Sequence, residues 1–322
     1  MTEQQRHRPA PQSTWSLTRV PTPLQHLFDR FPLLTYPPNE LPQRSPAAHS
    51  LPTLHVFISE RDAATSSPSF NPSCLKWQTF LRIAGVRVRI VPSTNHASPS
   101  GALPFLTPAS NSGVPGPTDQ VAAPPVPSSK LYQYALDHGT SRPGEVPSLR
   151  LEAYQSLLDH RIRNAWLYAL YLSPRNAGLV KQLYTQPSSS SGAVQTALLW
   201  QLRRAATAEI LRSAGAAAIE PERLYNEARG AFAALETLLA QGGDDDGSSS
   251  RWFFGNTDGP TLFDAAVFSY AYLILHAAWS WQDDTLRGIL VECPNLVAHT
   301  RRILERYWQD QEWKWTRLYH KT

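Results

Sequence analysis

Residues 70–106, FNPSCLKWQTFLRIAGVRVRIVPSTNHASPSGALPFL, spell a capped helix, a strand, a turn and a proline at the entry to a second strand. Asn71 is placed to cap the first orphan amides, and Pro72 falls at the first helical position, where its missing N–H costs nothing. Cys74, Trp77, Phe80, Leu81 and Ala84 then recur at three-and-four spacing, which makes one buried face. Gly85 ends the helix. From Val86 to Ile90, the valines and isoleucine alternate with Arg87 and Arg89 as the two faces of a strand do. The following turn is rich in Ser, Asn and Pro, and His96 is expected to help fix it by hydrogen bonds. It leads to Leu103-Pro104-Phe105-Leu106, where a cis bond before Pro104 is the expected device.

The remaining composition narrows the class. A chain of 322 residues with 42% hydrophobic content builds one large or two modest domains. A formal charge of +4 does not call for nucleic acid. Cys74 and Cys293 are far apart and form neither a CxxC pair nor a metal spacing, so they read as buried thiols of a reducing compartment. Ala265 to Gln282 is uncharged but only just long enough for a bilayer. It is flanked by Asp264, Asp283 and Asp284 rather than by basic anchors, and reads as a buried core helix.

Four regions follow. Residues 1–50 are a proline-rich irregular arm with an apolar knot at Leu24, Leu27, Phe28, Phe31, Leu33 and Leu34, which packs on the body or on a partner. Residues 51–140 hold the first strand (Leu54 to Ser59), the helix and strands above, a long Pro/Gly/Ser-rich loop with a weak fourth strand, and a helix at Leu131 to His138. Residues 149–310 are helix-dominated: Leu149 to Leu172, Ala193 to Ser213, Pro221 to Gln241, the Ala265 segment and a last helix opened by Pro294. Asp244 to Ser250 is an acidic surface loop to which no ion is assigned. Residues 311–322 form an aromatic and basic tail, in which Trp315 continues a stripe begun by Trp308, with Trp313 beside it. Such a stripe suits a partner, a membrane interface or the chain's own helical domain.

The order of elements around Pro104 resembles the thioredoxin-like half of glutathione transferases. The resemblance implies an α+β thioredoxin-like N-terminal domain followed by an all-α C-terminal domain. It gives Asp264, which has capping-box spacing to Thr261, a folding role at the start of the central helix. Transferase chemistry requires a hydroxyl or thiol at the start of the first long helix, the strand-entry proline, and an acidic-Ser pair before the third helix. Pro104 meets the second requirement. Pro127-Ser128 stands where the acidic pair belongs, so the charged end of glutathione would meet no counter-ion. Cys74 is the candidate for the first requirement, yet it shares the apolar face of Trp77 and Leu81 and reads as structural. The chain lacks GxSxG, Walker, HExxH and zinc-knuckle patterns. The expectation is a non-catalytic protein without cofactor or metal, against a thiol-dependent transferase or peroxidase using Cys74.

CLKWQTFLRIAGV, STNHASPSGALPFL, SLLDHRIRNAWLYALYL and the block from Trp252 to Leu275 resemble, more narrowly, the metaxin family. The arm FDRFPLLTYPPNELPQRSP is similar to the start of its smaller fungal branch, the counterpart of the second animal metaxin. This resemblance implies a peripheral protein on the cytosolic face of the mitochondrial outer membrane. Its partners there would be the membrane-embedded barrel subunit of the sorting and assembly machinery, a second metaxin-like subunit, and β-barrel precursors received through their sorting strand. Two places suit such a strand: the edge carrying Arg87 and Arg89, and a groove beside Pro104 and the Arg161-Ile162-Arg163-Asn164 turn. A soluble transferase-like scaffold is the other non-catalytic alternative.

Overall fold

Strand β1 (Thr53–Val56) is central in a four-stranded sheet. The computed structural model describes residues 51–109, 124–144, 147–241, 252–254, 259–276 and 279–309. Strand β2 (Arg89–Pro92) runs parallel to β1 with Thr53 opposite Arg89. On the other side β3 (Phe105–Thr107) is antiparallel with Leu54 opposite Leu106, and β4 (Val126–Pro127) pairs beyond it, giving the order β2-β1-β3-β4. A short α1 (Glu60–Ala64), capped by Ser59, follows β1. Helix α2 (Pro72–Ile83) then packs with α3 (Leu131–His138). Leu54, Val56 and Leu106 are fully buried with Phe80, Leu81 and Leu131 in this first core.

Helix α2 forms for the reasons its sequence gives. Asn71 Oδ1 accepts from the Cys74 amide at 3.2 Å, and Pro72 occupies the first turn. The helix closes on Gly85 at φ 75°, a conformation glycine adopts without strain. A Cβ on Gly85 would also meet Thr140 Oγ1 at 2.1 Å, so the chain leaving α3 is clamped against the end of α2. The strand expected from Val86 to Ile90 begins later, at Arg89. The Val86 amide donates to the Leu81 carbonyl at 2.8 Å and is thereby part of the helix cap. In the next turn, Asn95 Oδ1 accepts from the Leu103 amide (3.0 Å) and Ser98 Oγ donates to the Ala102 carbonyl (2.7 Å), so these residues rather than His96 fix it. Pro104 follows a cis peptide bond and is buried.

The helical half opens with a rod made of α4 (Leu149–Ser156), a π turn (Leu157–Ile162), α5 (Arg163–Leu167) and a second π turn (Tyr168–Leu172). The short α6 (Ala177–Val180) continues into a turn at Lys181–Thr185. Then come α7 (Gly192–Ala214), α8 (Pro221–Gln241), α9 (Leu262–Leu275), α10 (Thr285–Val291) and α11 (Pro294–Tyr307). Helix α9 is the centre of this half and is buried on nearly every face; it also packs along α2, where Ala265 joins the first core. It is the segment weighed above as a membrane span. No helix among the described residues is long and apolar enough to cross a membrane.

Asp264 does more than close a capping box with Thr261. Its Oδ2 accepts from the Thr261 amide (2.8 Å) and hydroxyl (2.9 Å), and its Oδ1 from the Phe253 amide (3.0 Å). His299 Nε2 on α11 lies 2.8 Å from the same Oδ1, and both side chains are wholly buried. The carboxylate thus ties α9, the Phe253 turn and α11 together.

Trp308 corrects the surface stripe drawn from sequence. It is 0% exposed, packed in the helical core under the Arg82 guanidinium, which lies 4.0 Å from the ring centroid. It is core, not a docking surface. Trp313, Trp315 and the rest of the tail, the arm and the acidic loop lie outside the described residues.

Candidate functional site

The place to test for transferase chemistry is the first turn of α2 with the neighbouring strand-entry proline. A helix N-terminus stabilises an anion when its amides are free to point at it. Here Asn71 takes up the Cys74 amide, and its Nδ2 donates to the Tyr184 hydroxyl at 3.3 Å. Tyr184 arrives from the Lys181–Thr185 turn of the helical half. Its ring sits 5.6 Å from Phe57, 5.0 Å from Phe70 and 5.5 Å from Tyr171, forming an aromatic plug over the turn. Burial pushes the Tyr184 phenol up to about 12, against the opposing hydrogen bonds of Tyr171 and Asn71, so it stays neutral.

Cys74 lies under this plug and is fully buried. Desolvation raises its thiol to about 12, only partly offset by the Phe57 backbone and the Ser69 hydroxyl, so no thiolate forms near neutral pH. Two hydroxyls that sequence reasoning passed over also stand here. Ser69 is buried and donates to the Phe57 carbonyl at 2.5 Å, which commits it. Ser73, in the first turn of α2, is exposed.

Pro104 has the expected geometry, but the backbone group it would present is taken. The Leu103 amide donates to Asn95 Oδ1, and Leu103 is buried. Pro127 pairs opposite Phe105 at the end of β4, and Ser128 opens the turn into α3, so an apolar ring occupies the position before that helix. His55 on β1 is half-buried, stacked on Phe105 at 4.2 Å and 3.1 Å from Thr107 Oγ1. Burial and then the Arg89 charge hold its imidazole below the usual range.

The candidate binding arginines separate into two groups. Arg161 pairs with Glu227 at 2.6 Å and Arg163 with Glu209, so both brace the rod against α8 and α7. Both side chains of the expected groove are thus engaged within the helical half. Arg87 and Arg89 are exposed on and before the edge strand β2, and Arg89 Nε also reaches Thr53 Oγ1 at 3.4 Å. The Arg89 and Ser93 amides donate toward β1, to Pro52 and Val56 carbonyls. By the parallel-strand alternation, the Val88 and Ile90 amides point away from β1, and Pro92 closes the edge without a donor. The edge is therefore open but short. Among the described residues no group of three or more His, Cys, Asp or Glu is placed to hold a metal ion.

Comparison with known proteins agrees with the fold. The glutathione S-transferase N-terminal domain family matches residues 72–176, and the glutathione S-transferase C-terminal domain family matches residues 228–303. No curated protein matches the sequence. Among solved structures, the apo form of glutathione S-transferase III is 15% identical with a TM-score of 0.44, covering 81% of this chain and 95% of that one. Ure2p in complex with glutathione is 12% identical with a TM-score of 0.41, covering 89% and 96%. Glutathione transferase GSTFuA2 from Phanerochaete chrysosporium is 12% identical with a TM-score of 0.42, covering 78% and 98%. The chain has a glutathione-transferase-like fold, a thioredoxin-like domain followed by an all-α domain.

Proposed function

We propose that this chain is a non-catalytic subunit of the mitochondrial outer-membrane sorting and assembly machinery, held peripherally on the cytosolic face by its barrel subunit and a second metaxin-like subunit. Its task there is to receive the sorting strand of β-barrel precursors and pass it on for insertion. One observation carries the non-catalytic reading: two groups a glutathione-type site would offer, the Cys74 amide in the first turn of α2 and the Leu103 amide, are satisfied internally by Asn71 and Asn95. Exposing a buried amide to form a ligand bond first costs the bond it already has, about 1–3 kcal/mol. The metaxin-like motifs quoted above support the choice of machinery. The short open edge of β2 supports strand recognition there, and the engaged Arg161 and Arg163 argue against the groove.

Purification of the tagged full chain from gently solubilised mitochondria should bring down the barrel subunit and the second metaxin-like subunit. A photoreactive side chain in place of Arg87 should label a sorting-strand peptide, and one in place of Arg161 should not. A purely cytosolic distribution on fractionation overturns the assignment. One observation favours a second reading, the exposed hydroxyl of Ser73 in the first turn of α2. Retention on glutathione resin with conjugation activity that Ser73→Ala abolishes would establish the transferase instead.

A further inference from the structure

Two adjoining clefts, of about 670 and 500 Å³, open at the other end of α2 from the plugged turn and share Arg82, Gly85, Arg306 and Tyr307. The larger runs along the outer edge of β2 and adds Arg87 and Arg89. The smaller runs under the chain leaving α3 and adds Arg142. No Asp or Glu lines either cleft among the described residues. Arg87, Arg89, Arg142 and Arg306 are exposed and form no ion pair with any of the described residues, whereas the arginines of the helical half that do form ion pairs have carboxylates beside them.

A plainer account explains part of this cluster. Helices α2 and α11 both end here, and cations suit helix C-termini. Arg82 fits that account: its guanidinium donates to the Tyr307 carbonyl (3.0 Å) and the Ser66 carbonyl (2.9 Å) and lies over Trp308. Arg306, in the last turn of α11, fits it in part. Arg87, Arg89 and Arg142 do not, because they lie on no helix. Arg142 is held in place by its neighbours, since the Ser141 amide donates to the Ala84 carbonyl at 3.0 Å and Gly85 is pressed against Thr140. The fold thereby sets the backbone that carries Arg142 beside the end of α2.

We propose that this double cleft binds a ligand carrying two phosphate groups, one seated among Arg87, Arg89 and Arg306 and the other between Arg142 and Arg306. Guanidinium forks match phosphate oxygens two at a time, and a tetrahedral group with several oxygens can engage more than one fork. The outward Ile90 amide adds a backbone donor in the larger lobe. The cavity sizes are those of small-ligand sites. The ligand is either a soluble bisphosphate or a phosphorylated lipid headgroup, which share this chemistry. The inference does not depend on the function proposed above.

The test uses the full chain. Inorganic pyrophosphate should raise the melting temperature in a saturable way, since a ligand bound only by the folded state stabilises it by mass action. Arg87→Ala with Arg89→Ala should weaken binding at least tenfold by calorimetry, as should Arg142→Ala. Arg212→Ala, on α7, should leave it unchanged. Co-flotation with vesicles containing a phosphorylated phosphoinositide, lost in the same variants and absent with phosphatidylcholine alone, assigns the lipid source; a pyrophosphate response without flotation assigns the soluble one. No response to either at millimolar concentration overturns the proposal. So does equal binding by the arginine variants, or an equal response to oligoglutamate, which would mark an acidic polypeptide instead.

Discussion

Replacing Asp264 should reveal how much of the fold hangs on one buried carboxylate. The side chain is wholly buried and accepts from the Thr261 amide and hydroxyl and the Phe253 amide, with His299 Nε2 as a fourth contact. A helix cap alone is worth about 1 kcal/mol. Asp264→Ala removes the cap and leaves the Phe253 amide and His299 without their partner in a dry interior, each at about 1–3 kcal/mol. Partial relaxation and non-additivity lower the sum, so the expected loss is about 4 kcal/mol. Asp264→Asn keeps one acceptor oxygen but turns an NH2 toward donors, and should lose about 2–3 kcal/mol. Urea unfolding of the full chain followed by far-UV circular dichroism reads both numbers, with Thr261→Val as the control that removes only the local hydroxyl. If Asp264→Ala costs no more than Thr261→Val, about 1 kcal/mol, the carboxylate is a local cap and the tie between α9, the Phe253 turn and α11 has no energetic weight.

Three further outcomes follow from the same structure. Neither Cys74 nor Cys293 should react with a thiol reagent at mildly alkaline pH in the folded protein, since burial pushes the thiols to about 12 and about 11; both should react in urea, and rapid modification of Cys74 in the native state would contradict its burial. Burial opposes ionisation of Asp283, but hydrogen bonds from Ser173, Thr285 and Tyr225 prevail and hold its carboxyl below the ordinary range. A depressed carboxyl contributes stability above its unfolded pKa and loses it as pH falls through the folded value, so the cost of Asp283→Asn should shrink on acidification; a constant cost in unfolding curves across that range would refute the linkage. Trp308→Ala should cost about 3–5 kcal/mol in thermal unfolding, as a buried ring does, and a loss under about 1 kcal/mol would return Trp308 to the surface.

What was legible in the sequence was local. Asn71-Pro72, Pro221 and Pro294 open their helices because a cap or a ring-fixed φ acts within one turn. The Cys74-to-Ala84 stripe is buried because its spacing is a property of the helix alone. What failed was decided by partners distant in the chain. Arg161 and Arg163 look free in sequence, yet their carboxylates stand on Glu227 and Glu209. Trp308 reads as one of a run of surface aromatics until Arg82, from the first domain, is found over its ring. The plug over α2 needed Tyr184, and the tie at Asp264 needed His299; neither has any pattern in its own neighbourhood. The late start of β2 had a nearby cause that alternation hides, because Val86 spends its amide on the helix cap before pairing can begin.

The same arithmetic separates the residues that hold the fold from those that would touch a ligand. The elements that shape a glutathione-type site, the capped α2 and the strands and turn from β3 to α3, also hold the first core together. Removing them would cost the fold, so they stay whatever the chain does. The groups that would touch a ligand carry no such burden, and it is these that are occupied: Asn71 faces Tyr184, Asn95 holds the Leu103 amide, and Pro127 precedes the turn. Two internal hydrogen bonds at about 1 kcal/mol each are a modest gain for the folded state, but a ligand must exceed both before it binds at all. Positive charge is gathered instead at the far end of α2. Arginines lining clefts that hold no Asp or Glu among the described residues create a positive potential that an arriving anion neutralises, so that end is where anion binding gains most.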